Sequence, residues 1–319
     1  MGGSAIRTRQ LTKHFGAVQA LVGVDLEVPA GSVLGLLGHN GAGKTTLIQI
    51  LSTVLPPSGG SAEVAGFDIV RDARRVRACI GVTGQFAALD EHLSGLANLV
   101  LISRLLGARP REARRRAAEL VEQFGLTEAA DRPMRTYSGG MRRRIDLAAS
   151  LVARPSVLFL DEPTTGLDPV SRTALWETVE GLVAEGTTVL LTTQYLDEAD
   201  RLADRIAVLS SGHVVTVGTA AELKAAGTRS VRLTFGSAAD LESAEGALRL
   251  EGLGLTTDPV SRTVSLPLAA TAELAGIFRI LGAAGVELAE LALKEPTLDD
   301  VYLSLAESWE TTSGGTVRC

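Results

Sequence analysis

The chain has 319 residues, enough for about two domains at ~150 residues each, and its 45% hydrophobic content excludes a disordered chain. A formal net charge of −6 gives no long-range pull toward nucleic acid or anionic lipid, so no nucleic-acid partner is expected. Cys79 and Cys319 are the only cysteines, too few and too far apart for a disulfide framework or a metal site.

The opening "MGGSAIRTRQ" has no apolar signal core, and Ile6 stands where a myristoylation pattern wants Ser or Thr. No stretch approaches the ~18 uninterrupted apolar residues of a membrane span. The expectation is a cytosolic chain that reaches a membrane only through a partner. Residues 5 to 37 alternate Val, Leu and Ile with polar positions and read as short strands joined by turns. The apolar run "SVLGLLG" (32 to 38) reads as a buried strand, and "KTTLIQILSTVL" (44 to 55) has helical apolar spacing. The basic cluster "REARRR" (111 to 116) reads as a solvated helix face. Two more buried strands, "SVLFLDEP" (156 to 163) and "TTVLLTT" (187 to 193), are each followed by a helical pattern. Strands alternating with helices imply a parallel sheet covered by helices. A linker is expected at 219 to 229, where the composition turns small and polar. Strand and helix patterns alternate again over 230 to 308, as in a small α+β domain, and residues 309 to 319 read as a disordered tail.

"GHNGAGKTT" fits the phosphate-loop pattern of Gly, four residues, Gly, Lys and Ser or Thr, between a strand and a helix. Glycines at Gly38, Gly41 and Gly43 let successive N–H groups face one anion, at a helix N-terminus that adds its own partial positive charge. Gly38, His39, Asn40, Gly41, Ala42, Gly43, Lys44, Thr45 and Thr46 are therefore candidates to bind the phosphates of ATP. Lys44 is expected on the β and γ phosphates and the Thr45 hydroxyl on Mg²⁺. Asp161, leaving a buried strand, is the second candidate Mg²⁺ residue, and Glu162 is placed to polarise an attacking water. The other reading of this acidic pair is a cap on the following helix. "YSGGMRRRIDLAASLV" (137 to 152) sets Ser138, Gly139 and Gly140 ahead of another helix, a second anion grip in the same chain. Two grips make sense if one is offered to ATP held by a different subunit.

With these motifs in order the chain resembles the ATP-binding subunits of ABC transporters, over about residues 5 to 217. Tyr137-Ser138-Gly139-Gly140-Met141 stands where that family has its signature, about 20 residues ahead of "LFLDE". The resemblance implies that Gln85 touches Mg²⁺ and the attacking water, that Phe15 stacks on adenine and that Asp168 reaches across a dimer. It also implies the architecture: an α/β P-loop ABC ATPase domain, residues 1–218, with a helical signature subdomain. "LLTTQYLDEADRLADRIAV" and the ending "EPTLDDVYLSL" (295 to 305) resemble the daunorubicin-resistance type, which works with a separate permease in drug and antibiotic export. In that type a glutamine commonly fills the switch position, here Gln194, where other relatives have histidine.

The chain departs from the family at Met141 and Tyr137, although the anion grip rests on Ser138 and glycine backbone. It also has Ala97 where relatives often carry Glu, which bears on the permease contact. The implied assembly is a homodimer closing head to tail around two MgATP, on the cytoplasmic side of a cell membrane. An exporter of lipid or polysaccharide is the alternative, and a soluble non-transport ABC ATPase the remote one. Arg outnumbers Lys by 27 to 4, within a stated total of 31, which points to a GC-rich bacterium. Gln194 itself has two readings, a hydrogen-bonding substitute for the switch histidine and a plain cap on the next helix.

Overall fold

The computed structural model describes residues 3–83, 89–225, 227, 229–268, 270–298 and 300–301, so Gln85 and the tail at 309–319 lie outside the described residues. The chain divides into two compact units, Met1–Ala220 and Ala221–Cys319. The first opens with β1 (Ser4–Phe15), β2 (Val18–Pro29), β3 (Val33–Leu37), α1 (Lys44–Leu51), β4 (Gly59–Val64), β5 (Phe67–Asp68), α2 (Ala73–Cys79) and β6 (Ile80–Thr83). It continues with α3 (Gly95–Leu105), α4 (Pro110–Gln123), α5 (Gly139–Ser150), β7 (Val157–Asp161), α6 (Pro169–Ala184), β8 (Thr188–Thr193), α7 (Leu196–Leu202), β9 (Arg205–Ser210) and β10 (His213–Gly218).

Its central sheet runs β10-β9-β3-β8-β7-β6, parallel except for β10. β3, β7 and β8 are buried at every position, which is why they read as continuous apolar runs rather than alternating ones. Their side chains still alternate, because successive Cβ atoms point to opposite faces. Leu158, Leu160, Val189 and Leu191 enter the core under the helices, together with Leu120 and Ile145. Val157, Phe159 and Leu190 enter the opposite core with Leu11, Leu21 and Leu47. That second core is closed by an antiparallel sheet of order β2-β1-β4-β5. β1 and β2 each run for 12 residues, longer than the short strands expected, because bulges absorb the breaks in alternation. One break lies at Gln10, whose φ is +45°.

Helices α3, α4 and α5 pack on one another as a helical subdomain. In α4, Ala113, Ala117, Leu120 and Val121 face inward, while Arg111, Arg114 and Arg115 stand exposed. The segment expected as a linker, 219–229, contains the division between the two units and holds α8 (Ala220–Ala225). Ala, Glu, Leu and Lys, which made it look small and polar, are strong helix formers.

The second unit holds β11 (Arg229–Phe235), α9 (Ala238–Leu250), β12 (Thr256–Asp258), β13 (Thr263–Leu268), α10 (Leu274–Ala283) and β14 (Leu288–Lys294). Its antiparallel sheet has the order β12-β13-β11-β14. Val231, Leu233 and Phe235 of β11 bury one face against Leu241 and Leu248 of α9 and Ile277 and Leu281 of α10.

Candidate functional site

Parallel pairing brings the ends of β3, β7 and β8 together, since Leu37 lies beside Thr193 and Asp161 beside Thr192. The loop leaving β3 turns on Gly41 (φ +85°) and Gly43 (φ +108°), conformations that glycine alone adopts readily. A Cβ on Gly43 would also lie 2.6 Å from the Ala20 carbonyl oxygen, and one on Gly38 2.5 Å from that of Leu209. Backbone therefore curls where side chains would block it, and α1 starts at Lys44 with its first N–H groups free of helical partners. Lys44 is only 5% exposed. Its Nζ donates to the carbonyls of Gly38 (2.6 Å) and His39 (3.1 Å) and lies 3.8 Å from Glu162 Oε1. Burial pulls its pKa down, while Glu162 and Asp161 push it back up.

Asp161 ends β7 almost wholly buried. One carboxylate oxygen accepts from Thr45 Oγ1 at 3.0 Å and the other from Thr192 Oγ1 at 2.6 Å. A hydroxyl and a carboxylate at a phosphate loop suit a hard cation that keeps several waters, as Mg²⁺ does. Among the described residues no group of three or more His, Cys, Asp or Glu could hold a metal by itself. The donor set thus fits an ion carried in with phosphate better than a dedicated all-protein cage. Glu162 has the left-handed φ of +47°, and its N–H donates to the carbonyl and the hydroxyl of Thr192, each at 3.1 Å. A cleft of about 240 Å³ is lined by Ala20, His39, Asn40, Gly41, Gly43, Lys44, Thr45, Thr46 and Glu162. Ala42, by contrast, is buried beneath the loop, with its carbonyl accepting from Gly212 N–H at 3.0 Å.

Ser138, Gly139 and Gly140 do not line that cleft. Ser138 is exposed and caps α5, accepting from Met141 N–H at 3.3 Å. Tyr137 is buried and donates to the Ala129 carbonyl at 2.7 Å, so it anchors the helical subdomain and leaves the exposed turn to Ser138. Asp168 is exposed at the N-terminus of α6, where its carboxylate accepts from Ser171 N–H (2.9 Å) and Ser171 Oγ (2.8 Å). Those bonds, the backbone one first, hold its pKa down.

Phe15 ends β1 and is 47% exposed, with Lys13 Nζ 5.1 Å from the ring centroid. Gln194 follows β8 and is exposed. Its side chain makes no hydrogen bond among the described residues, and the residue capping α7 is Tyr195. Tyr195 N–H is held by Thr193 Oγ1 at 2.9 Å, so the reading of Gln194 as a helix cap is corrected. Gln85 lies outside the described residues.

Two site residues escape a reading of the sequence. Thr192 looks like one more strand residue until register sets it beside Asp161. Arg143 looks like part of a basic run, yet its guanidinium donates to the carbonyls of Asp161 (3.1 Å), Glu162 (3.0 Å) and Pro163 (2.6 Å). Asp146 Oδ2 lies 4.0 Å from Arg143 Nη1. Burial pushes the Asp146 carboxyl up to about 6, against the pull of Arg143. An acid whose folded pKa exceeds its unfolded ~3.9 binds its proton more tightly when folded. Its contribution to stability is therefore gained as pH falls from 6 toward 4, and the ionised form costs the fold above 6. The melting temperature of Asp146→Asn, relative to the unmodified chain, should accordingly be higher at pH 7.5 than at pH 5. Thermal melts at the two pH values check this, and an unchanged difference would overturn it.

A family profile described as ABC transporter matches residues 21–165. The chain is 51% identical over 307 residues to a daunorubicin resistance ATP-binding protein of Streptomyces coeruleorubidus, covering 96% of each. It is 49% identical over 308 residues to a daunorubicin/doxorubicin resistance ATP-binding protein of Streptomyces peucetius, covering 94% of this chain and 92% of that one. A solved structure of an ATP-binding subunit of an ABC transporter superposes with a TM-score of 0.63 at 27% identity, over 69% of this chain and 92% of the other.

Proposed function

This chain belongs to the ABC transporter family as an ATP-binding subunit, and from that premise we propose that it hydrolyses MgATP to drive a separate permease exporting drugs or antibiotic-like metabolites. The carrying observation is the cleft lined by Lys44, Thr45 and Glu162 at one glycine loop, with buried Asp161 behind it accepting from Thr45. Gly38 to Thr46 cradle the phosphates, and Lys44 exchanges its loop carbonyls for β and γ phosphate oxygens. Thr45 and Asp161, with Gln85, hold Mg²⁺, which supplies charge neutralisation at the transferring phosphoryl group. Glu162 orients the attacking water, and Phe15 stacks on adenine. Ser138, Gly139 and Gly140, which do not line the phosphate cleft of their own chain, grip the ATP of a second copy, and Asp168 reaches across the same dimer interface.

No helix among the described residues is long and apolar enough to cross a membrane, which agrees with a membrane path supplied by another polypeptide. The relatives named for drug resistance match almost the whole length of this chain, which favours drug-like cargo. Co-expression with its permease partner should lower cellular accumulation of daunorubicin, and Glu162→Gln in the same cells should abolish the effect. Unchanged accumulation with ATP hydrolysis intact would move the cargo to lipid or polysaccharide.

Gln194, exposed at the end of β8 and making no side-chain bond among the described residues, is free to meet a γ phosphate. Its amide donates and accepts like a neutral imidazole but cannot take a proton near neutral pH. Gln194→Ala should cut turnover about tenfold, the loss of one hydrogen bond of roughly 1.4 kcal/mol at the transition state, with ATP binding nearly intact. Gln194→His should stay active and gain a pH dependence near 6 to 7.5, in the range about where imidazole titrates. Turnover measured against pH for the three forms checks this, and full turnover in Gln194→Ala would defeat it.

A further inference from the structure

We infer that Arg143 is a positioning residue for Glu162, tying the backbone that aims the Glu162 carboxylate to the helix that carries Ser138 at its N-terminus. The inference rests on the reading of Glu162 as the residue that orients the attacking water. Glu162 is a non-glycine residue at φ +47°, a sparsely populated conformation that persists only where its surroundings fix it. Two sets of hydrogen bonds do so. On one side, Thr192 of β8 holds its N–H through both carbonyl and hydroxyl. On the other, the Arg143 guanidinium takes three consecutive carbonyls, those of Asp161, Glu162 and Pro163.

A planar fork of donors can span such a row. A lysine ammonium, a point charge on a flexible stem, cannot. The Arg143 side chain is only 16% exposed, so these bonds are shielded from water. Arg143 does not line the phosphate cleft, and its guanidinium is engaged by backbone carbonyls, so it is placed to act through Glu162. It stands in α5, which begins with the Ser138-Gly139-Gly140 grip, Ser138 being its N-cap. A shift of that helix on meeting a nucleotide is passed by a single side chain to the peptide units on either side of Glu162.

The test uses the full chain with Arg143→Lys and Arg143→Gln, each alone and combined with Glu162→Gln. Steady-state turnover and binding of a non-hydrolysable ATP analogue are measured for all six forms, the parent and Glu162→Gln included. Misplacing a catalytic group by an ångström costs on the order of a hundredfold in rate. Both Arg143 variants should lose about tenfold to a hundredfold in turnover while analogue affinity stays within about threefold. On the Glu162→Gln background the loss should shrink to within about twofold, because residues acting as one unit are not additive. A general structural role would lower the rate equally on both backgrounds. That equal fall overturns the inference, as does turnover of both single variants within twofold of the parent. Failure of both variants to fold overturns it too, since it would assign Arg143 to holding the domain together. Full turnover in Glu162→Gln alone would instead overturn the reading of Glu162 itself.

Discussion

Glu162→Gln should bind ATP and fail to turn it over. Glutamine keeps the length and shape of the side chain, and the backbone conformation of residue 162 is fixed by bonds that do not involve its carboxylate: Thr192 on the N–H and Arg143 on the carbonyls. The substitution therefore removes charge and basicity without releasing the strained φ of +47°. Loss of a general base costs about 10² to 10⁴ in rate, or roughly 3 to 5 kcal/mol of barrier. Lys44 Nζ, 3.8 Å from Glu162 Oε1, loses one neighbouring negative charge but keeps its two loop carbonyls and nearby Asp161, so the phosphate grip survives. With binding intact and hydrolysis blocked, the closed dimer has no exit, and size exclusion under saturating MgATP should show it accumulating. A variant that turns over at the parental rate would contradict the role of Glu162. A variant that binds ATP and stays monomeric would contradict the shared site.

How much of this could be read before the structure follows from how local each feature is. The phosphate loop needs only adjacent residues: glycines that allow positive φ, a lysine, a hydroxyl, and a strand and a helix on either side. Fold class followed for the same reason, since apolar runs of five or six residues set between helical patterns specify a covered parallel sheet. Register is not local. Nothing in "LLTT" says that Thr192 will sit beside Asp161, because that pairing joins strands thirty-one residues apart in the chain. Arg143 was obscured by its neighbours, Arg142 and Arg144, which look identical in sequence but point elsewhere on the helix. Glu198 is a carboxylate in an acidic segment, yet it is fully buried and accepts from Trp176 Nε1 at 3.1 Å. Inside the expected linker, the helix α8 was not anticipated, because its small residues hid the high helix propensity of Ala, Glu, Leu and Lys.

Lys44→Ala should abolish ATP binding at concentrations that saturate the unmodified chain. Each charge-assisted hydrogen bond from the ammonium is worth roughly 1.5 to 3 kcal/mol, so losing contacts to two phosphates weakens binding by about 10² to 10⁴, at one factor of ten per ~1.4 kcal/mol. Whether the variant folds is a separate question, because the side chain is not a dangling one. It is buried, and it satisfies the carbonyls of Gly38 and His39. Its removal leaves those acceptors short of a donor, at about 1 to 3 kcal/mol for a buried acceptor. It also removes a cation that burial disfavours, as the lowered pKa of Lys44 reflects. These effects oppose each other, and the loop stays fixed by its glycines and by the bond from Gly212 N–H to the Ala42 carbonyl. The expected result is a folded protein whose melting temperature falls by a few degrees at most, at about 2 to 4 °C per kcal/mol for a unit of this size. ATP should leave that melting temperature unchanged, whereas it raises that of the unmodified chain by binding only the folded state. Calorimetric titration with MgATP and paired melts with and without nucleotide check both halves. Parental ATP affinity in folded Lys44→Ala would remove the phosphate loop from the site, and with it the assignment of Thr45 and Asp161 to Mg²⁺.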